Sequence, residues 1–289
     1  MGGGSWTKTS FTSYCTSVRG MSISDISLDG TITKSLSSQE VYKSRALDSA
    51  LNPHNVTREC RDSDEHPHTI PVILALDVTG SMGSAAVEVA KKLNVVMTKL
   101  YDQVKDVEFC IMGIGDLAYD DSPIQISQFE SDIRIAEQMD KVYFEYGGGG
   151  NAYESYTAAW YMGARHTKLD CWKRGRRGII ITMGDERLNP YLPKHAVNKC
   201  TGDGVQNDIN TTELYKEVTE KYDVYHLDVN HRHYHDDGIE SSWKAVLDDK
   251  HFRMATLENI ADMIVEIIVN AIECVVNETS TNHNGEICW

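Results

Sequence analysis

Residues 71–77 form a continuous apolar run, P-V-I-L-A-L-D, that ends in an aspartate. A short, uninterrupted run of this kind is typical of a strand that is buried on both faces, as in a parallel sheet covered by helices. Similar runs recur at 107–115, 178–183 and 223–229, and stretches with helical periodicity separate them. This alternation predicts an α/β fold of the Rossmann-like, doubly wound type, with a mainly parallel central sheet flanked by helices.

Further elements follow from periodicity and capping residues. Residues 124–129 alternate like a short edge strand, and Thr256 is placed to cap a final helix that runs to residue 273. Apolar spacing of three or four residues, together with polar caps, predicts the other helices. They cover about 38–51, 85–104, 131–139, 152–167, 211–221 and 240–247, and a short strand is predicted at 251–254.

The chain of 289 residues changes in texture at residue 71. Residues 1–70 are rich in Ser, Thr and Asp and poor in aliphatic runs, so we interpret them as a partly irregular N-terminal extension. Residues 71–273 then form the main α/β domain, and residues 274–289 form a C-terminal tail.

Charge and composition narrow the functional classes. The net charge of −15 argues against a surface for nucleic acid or anionic membranes, because phosphate binding needs concentrated Lys and Arg. No apolar run is long enough to cross a bilayer, and the N-terminal residues lack the apolar core of a secretory signal. The seven cysteines are scattered and form no C-x-x-C pair. A reduced cytoplasmic protein is the simplest expectation, and the oligomeric state is open.

Three polar clusters are predicted at the carboxyl ends of strands, where sheets of this kind bind ligands. They are D-V-T-G-S at 77–81, G-G-G-G-N-A-Y-E at 147–154 and M-G-D-E at 183–186. The clusters offer oxygen donors, which hard divalent cations such as Mg²⁺ prefer. The candidate ligands are Asp77, Thr79, Ser81, Asn151 and Asp185, and the candidates for residues that support them are Asp116, Glu154 and Glu186.

With these motifs the chain resembles a von Willebrand factor A-type (vWA) domain that carries a metal-ion-dependent adhesion site (MIDAS), of a cytoplasmic, bacterial or phage-like kind. The family pattern is Asp-x-Ser-x-Ser after the first strand, Thr in a later glycine-preceded loop, and Asp after the fourth strand. Asp77, Thr79 and Ser81 match the first element, with Thr in place of the first Ser. Asn151 stands where the Thr would be, and Asp185 where the last Asp would be. The resemblance covers about residues 71–273.

The resemblance implies a protein-recognition module that is not an enzyme. Its site would hold Mg²⁺, or else Mn²⁺ or Ca²⁺, without filling every coordination position. The open position would accept an Asp or Glu carboxylate from a partner protein. In relatives such binding can be coupled to movement of the last helix, here 256–273, and we carry that switch over only as a hypothesis.

Other interpretations compete for the same residues. Asn151 and Glu154 match the capping box N-x-x-E, a role that is compatible with metal binding. T-G-S-M-G at 79–83 lies where a nucleophile elbow would lie, but Thr79 replaces the required Gly, which argues against Ser81 as a nucleophile. Residues 113–118 match G-x-G-x-x-A without an evident following helix, so dinucleotide binding is a weak alternative.

Two other functional classes remain open. A haloacid dehalogenase-type phosphohydrolase also places Asp after its first strand, but Thr79 removes the second carboxylate that such enzymes use as acid and base. The third possibility is a structural scaffold with a degenerate site.

Two clusters outside the main motifs carry weaker signals. His226, His231, His233 and His235 are candidates for a second metal site, with Zn²⁺ as the ion, although a polar loop is the preferred interpretation. K-R-G-R-R at 173–177 is expected to form a solvated turn at the opposite end of the sheet, with a basic contact patch as the alternative.

Overall fold

The computed structural model describes residues 4–146, 153–229 and 237–283, and the side chains of 4–146, 153–229 and 238–273. Within these ranges the helices are α1 Lys8–Ser17, α2 Ser38–Val41, α3 Gly83–Gln103, α4 Arg134–Asp140, α5 Thr157–Arg165, α6 Lys194–Thr201, α7 Thr211–Thr219, α8 Asp237–Lys244 and α9 Ile260–His283. The strands are β1 Arg58–Cys60, β2 Ile70–Asp77, β3 Val107–Ile114, β4 Ile124–Ile126, β5 Tyr153–Glu154, β6 Thr167–Leu169, β7 Gly178–Gly184, β8 Arg187–Leu188, β9 Tyr191–Leu192, β10 Ile209–Asn210, β11 Tyr222–Val229 and β12 Phe252–Ala255.

A central sheet of six strands has the order β12-β11-β7-β2-β3-β4. Neighbouring strands in it are parallel, except that the edge strand β4 runs antiparallel to β3. The predicted α/β fold with a mainly parallel sheet is therefore confirmed. Shorter pairs lie outside it, namely β1 with β6, β5 with β8 and β9 with β10.

Helices cover both faces of the central sheet, and successive residues of a strand point into different cores. In β2, Leu74 packs into the core that contains α3 and α9, whereas Ile73 packs into the core that contains α5 and α7. Both side chains are buried. Burial on both faces explains why this strand is apolar at consecutive positions rather than at alternate ones.

The N-terminal residues pack against the long helix α3. The Trp6 indole Nε1 donates to the Asn94 side-chain oxygen at 2.9 Å, and the Tyr42 hydroxyl donates to the Ala86 carbonyl at 2.9 Å. Both aromatic side chains are buried in the same core as α3. Further along, β1 forms a parallel pair with β6, so this N-terminal region is joined to the domain at several places.

The predicted helix over 38–51 is wrong for most of its length. The structure has one short helix, α2, and a separate 3₁₀ turn at Ser49–Leu51. Tyr42 leaves the helical conformation with φ −95° and ψ 90°, and its ring packs against Phe144 at 4.7 Å between centroids. Burial of this aromatic ring against the main domain outweighs the local helical preference, as tertiary contacts often do.

Other boundaries differ from the sequence-based ones. The helix predicted over 152–167 begins only at Thr157, because Tyr153–Glu154 pairs with β8. The final helix runs from Ile260 to His283 rather than over 256–273, although Thr256 does cap the preceding turn, where its Oγ1 accepts from the Asn259 N–H at 3.3 Å. Helices α1 and α6 were missed altogether.

Candidate functional site

Two of the three predicted polar clusters meet at the carboxyl edge of the central sheet. Asp77 is the last residue of β2, and Asp185 directly follows β7, the strand that pairs with β2. The remaining cluster, at 147–154, is represented by Glu154 in β5, while Asn151 lies outside the described residues. Strand pairing therefore brings the first and third clusters together without help from the second.

Four of the predicted ligands form a continuous chain of polar contacts. The Thr79 hydroxyl donates to Asp77 Oδ1 at 2.6 Å, and the Thr79 backbone N–H donates to the same oxygen at 2.9 Å. The hydroxyls of Thr79 and Ser81 are 3.4 Å apart, and Ser81 Oγ donates to Asp185 Oδ1 at 3.0 Å. Hydroxyl and carboxylate oxygens thus converge on one small region, as the sequence motif requires of a cation site.

The turn after β2 explains why these side chains converge. Residues Gly80–Met82 form a single 3₁₀ turn before α3 begins at Gly83. Thr79 enters this turn in an extended conformation, with φ −81° and ψ 167°. The sharp change of direction places Thr79 and Ser81 on the same side as the end of β2.

Asp77 is buried, with a relative exposure of 1%. Burial, which disfavours the charged carboxylate, and the nearby charge of Asp185 raise the pKa of Asp77 to about 7, although hydrogen bonds from Thr79 act in the opposite direction. Within the described residues, its hydrogen-bond partners are neutral groups of Thr79 and Tyr156. The carboxylate is therefore held in place, and no basic side chain in the described part of the chain neutralises it.

Tyr156 is a residue of this site that the sequence analysis missed. Its hydroxyl donates to Asp77 Oδ2 at 2.8 Å and accepts the backbone N–H of Glu186 at 3.2 Å. It therefore ties the loop after β2 to the loop after β7. Its position also explains Gly184, since a Cβ atom at that residue would overlap the Tyr156 hydroxyl. The available signal was the glycine that ends the Ile-rich strand, directly before Asp185.

The predicted supporting acids lie around this site in different ways. Asp116 follows β3 and accepts the Ala118 N–H at 2.8 Å with Oδ1, whereas its Oδ2 is buried with no hydrogen-bond partner among the described residues. The same holds for Oε2 of the buried Glu154. Burial, and after it the charges of Asp77 and Asp120, raise the pKa of Glu154 to about 10.

Glu186 contributes through its backbone. Its N–H donates to Tyr156, and its carbonyl accepts the indole N–H of Trp243 at 3.1 Å. The peptide groups of the loop after β7 are thereby anchored to two buried aromatic residues.

The structure also argues against two of the competing motifs. The capping-box interpretation of Asn151 and Glu154 is wrong, because Glu154 lies in β5 and α5 begins three residues later, at Thr157. The G-x-G-x-x-A match at 113–118 leads into a turn and then into β4, so no helix offers its N-terminus to a phosphate there.

His226 is a core residue at the one position of the histidine cluster that the structure describes. It is fully buried in β11 and stacks on Trp243 with ring centroids 3.6 Å apart. Burial lowers its pKa well below the usual value, and its Nδ1 lies 2.9 Å from the Thr182 hydroxyl. The positions of His231, His233 and His235 fall outside the described residues.

Two negative findings apply to the described part of the chain. There, no three His, Cys, Asp or Glu side chains come close enough to hold a metal ion by themselves, so a cation at the candidate site would depend on hydroxyl ligands as well. The helices in the same ranges include none with the length and apolar character needed to span a bilayer.

The sequence matches no protein-family model and no curated relative. Solved structures with a similar fold include the pilus adhesin SpaC from Lactobacillus rhamnosus GG, at 12% identity and a TM-score of 0.47, over 75% of this chain and 31% of the adhesin. Proximal thread matrix protein 1 from the mussel byssus matches at 9% identity and a TM-score of 0.46, over 71% of this chain and 48% of that protein. The vWF domain of the type V pili tip protein Mfa5 from Porphyromonas gingivalis matches at 13% identity and a TM-score of 0.41, over 73% of this chain and 96% of that domain.

This chain spans about a third of the length of the SpaC adhesin. At these identities and scores the similarity concerns the arrangement of strands and helices alone. Because one fold serves many functions, what this protein does has to be argued from the site itself.

Proposed function

We propose that this protein is a divalent-cation-dependent recognition module of MIDAS type, which binds a carboxylate of a partner protein. The cation, Mg²⁺ or alternatively Mn²⁺ or Ca²⁺, would be held by Asp77, Thr79, Ser81 and Asp185, with Asn151 as the fifth predicted ligand.

The observation that carries this proposal is the buried carboxylate of Asp77. Among the described residues its hydrogen-bond partners are neutral, and burial, together with the nearby charge of Asp185, raises its pKa. A buried anion without a cationic partner is costly, and binding a cation from solution removes that cost. The same groups that make the ion-free site unfavourable therefore favour the site with a cation bound.

The donor set fits a hard cation. Asp77 and Asp185 supply carboxylate oxygens, and Thr79 and Ser81 supply neutral hydroxyl oxygens. Successive oxygens of this set lie 2.6–3.4 Å apart. Oxygen donors of this kind suit Mg²⁺ and Ca²⁺ rather than Zn²⁺, which prefers nitrogen and sulfur. When bound, the ion would supply a Lewis-acidic position for an external carboxylate.

The overall charge of −15 bears on the partner. Without a cation, the acidic groups at this edge of the sheet repel an acidic ligand, so recognition of an Asp or Glu side chain should require the cation first. Tyr156 would act as a positioning residue, because it fixes the orientation of the Asp77 carboxylate relative to the loop that carries Asp185.

The direct test is calorimetric titration of Mg²⁺ and of Mn²⁺ into the wild type, Asp77→Ala and a control, Asp102→Ala. Asp102 is exposed and lies near the end of α3, away from the candidate site. We expect saturable binding to the wild type and the control, and none to Asp77→Ala. Equal binding by all three proteins would contradict the site assignment, and no binding to any of them would favour the scaffold alternative.

The carboxylate partner requires a second experiment. The wild type and Asp77→Ala are used as baits, each with Mg²⁺ and with EDTA, and captured proteins are compared across the four conditions. A partner that is retained only by the wild type with Mg²⁺ supports the proposal. Hydrolysis of p-nitrophenyl phosphate that is abolished by Asp77→Asn would instead favour the phosphohydrolase alternative.

A further inference from the structure

A second candidate binding site lies between the N-terminal region and the main domain. It is a cavity of about 490 Å³, bordered by residues of the N-terminal 43 residues, by α3 and by α4 with the residue after it. This volume is in the range of pockets that bind small organic molecules. The four predicted cation ligands that the structure describes, Asp77, Thr79, Ser81 and Asp185, do not line it.

The cavity has an apolar interior. Among its lining residues, Ile32, Val41 and Ala90 are buried, and Met21 and Leu36 are partly buried against the same core. At the edge, Val18 leaves 62% of its surface exposed. Apolar surface left open in a groove of this size favours a ligand with an apolar body.

The charged residues around the cavity are mainly basic. Its lining contains five cationic side chains and three acidic ones, in a protein whose acids outnumber its bases by 15. Of the acids, Asp140 is neutralised by Arg19, whose Nε and Nη2 donate to it at 2.9 and 2.6 Å. Glu40 caps α2, where it accepts the backbone N–H of Ser37 at 2.8 Å.

Three lysines of this lining have no ion-pair partner among the described residues, namely Lys34, Lys43 and Lys141. The fourth, Lys91, pairs with Glu88 at 2.9 Å. Arg19 is committed to Asp140, with 7% of its side chain exposed. The lining also holds Glu137 and Glu40, and the charges of Lys34 and Lys43 act on Glu40. Ammonium groups still outnumber these two acids around the apolar cavity, by three to two.

We propose that this cavity binds an amphiphilic anion, that is, a small molecule with an aliphatic or aromatic body and one carboxylate or phosphate head. The body would contact the apolar residues between the N-terminal region and α3. The head would lie among Lys34, Lys43 and Lys141. This site is independent of the cation site and of the function proposed for it.

A second cavity in the molecule provides a comparison for the charge argument. It has a volume of about 400 Å³ and lies at the amino-terminal edge of the sheet, with Arg174, Arg176 and Arg177 in its lining. There Arg174 pairs with Asp62, and Arg177 pairs with Asp223 at 2.6 Å. Most of its positive charge is thus compensated within the chain, so it serves as an internal control.

The test uses decanoate as the probe in calorimetric titrations below its micellar concentration. Decyltrimethylammonium has the same chain with the opposite charge, and acetate has the head group alone. We expect the full-length wild type to bind decanoate with at least about tenfold higher affinity than either comparison compound, since both the apolar body and the anionic head are required.

Three variants locate the binding site. Val18→Glu places an acid at the exposed edge of the cavity, and Lys34→Gln/Lys43→Gln removes two of the ammonium groups. Each should weaken decanoate binding by about three- to tenfold, the size expected for partly exposed charges. Leu28→Glu is the matched control, because Leu28 is 96% exposed in the same N-terminal region and does not line the cavity. It should bind decanoate like the wild type.

Circular dichroism and thermal unfolding confirm that each variant is folded. The proposal is overturned if decyltrimethylammonium binds as tightly as decanoate, or if Val18→Glu and the double lysine variant keep wild-type affinity. A further variant, Arg176→Gln, changes the second cavity. The proposal is also overturned if this variant abolishes decanoate binding. Co-sedimentation with phosphatidylglycerol vesicles in place of decanoate binding would indicate a membrane surface as the ligand instead, and would likewise reject the proposal.

Discussion

The two ends of the central sheet differ in whether their charged side chains have partners of opposite charge. At the amino-terminal edge, guanidinium groups are paired with acids of the same chain, as in Arg174 with Asp62 and Arg61 with Asp170. At the carboxyl edge, Asp77 is buried with neutral partners, and the buried Glu154 has a carboxylate oxygen without a hydrogen-bond partner among the described residues.

This difference shows where an external ligand has a reason to bind. The basic segment 173–177 lies at the amino-terminal edge, where arginines pair with acids of the same chain. These pairs are part of the folded structure, and the segment forms a turn, as predicted. The turn ends at Gly175, whose φ of 67° is the left-handed conformation that glycine adopts readily. At the other edge, no basic side chain of the described residues pairs with the buried carboxylates of Asp77 and Glu154. A cation from solution would therefore be stabilised there.

The largest expected effect concerns packing at the carboxyl edge. Gly184→Ala should lower the free energy of unfolding by about 3 kcal/mol, because its Cβ would overlap the Tyr156 hydroxyl that orients Asp77. Urea denaturation measures the loss. The matched change at the other edge is Gly175→Ala, which meets no neighbouring atom within 4 Å and should cost only about 1 kcal/mol, for its left-handed backbone. Equal losses would show that Tyr156 does not constrain residue 184.

The next effect is stabilisation by the cation. Mg²⁺ at about 100 times its dissociation constant should raise the free energy of unfolding by about 2.7 kcal/mol in the wild type, because it binds the folded state alone. Asp77→Asn should abolish this increase. The same variant without Mg²⁺ should be at least as stable as the wild type, since it removes a buried charge. A large loss of stability without Mg²⁺ would mean that the chain itself compensates Asp77.

A smaller effect is expected from an ion pair at the amino-terminal edge. Arg61 Nη1 lies 2.9 Å from Asp170 Oδ1, and both side chains are partly exposed. A double-mutant cycle with Arg61→Ala and Asp170→Ala should give a coupling of about 0.5–1 kcal/mol. Mg²⁺ affinity should stay unchanged in all three variants. A shift in that affinity would show that the two ends of the sheet are electrostatically coupled after all.

The smallest effect is the pH dependence contributed by His66, also at the amino-terminal edge. Burial opposes protonation, but hydrogen bonds to the Gly4 carbonyl and to Asp106 raise the pKa of His66 above its usual value. A raised folded-state pKa means that the protonated ring stabilises the fold at low pH. This contribution is complete below the unfolded-state pKa of about 6.5 and is lost as pH rises through the folded-state value.

His66→Gln tests this contribution through urea denaturation at about pH 5.5 and about pH 8.5. The difference in stability between the wild type and the variant should be larger at the lower pH, by less than about 1 kcal/mol. A difference that is larger at the higher pH would mean that the neutral ring is the form that the fold favours.

The sequence was informative where a single element carries the pattern. The apolar runs that became β2, β3, β7 and β11 could be recognised because burial on both faces requires apolar residues at consecutive positions. The residues at which these strands end could be recognised for the same reason. This identified the candidate ligands Asp77, Thr79, Ser81 and Asp185. Their convergence followed from one rule, that parallel strands end at a common edge.

Local pattern failed where distant contacts decide the conformation. Residues 38–51 have helical spacing, yet Tyr42 ends the helix because its ring is buried against Phe144. Glu154 matched the last residue of a capping box, N-x-x-E, yet it pairs with β8. In both cases the competing interaction joins residues far apart in sequence, so no window of neighbouring residues contains it.

The sequence by itself determined the class of fold and the oxygen donors that the carboxyl edge would present, because both follow from the order and spacing of residues along single strands. Only the tertiary structure decided which charges are compensated. It placed Tyr156 between Asp77 and Glu186, matched each of Arg61 and Arg174 with an acid, and left three lysines around an apolar cavity. The energy of a charge depends on burial and on the nearest partner in space, and neither is encoded by position along the chain.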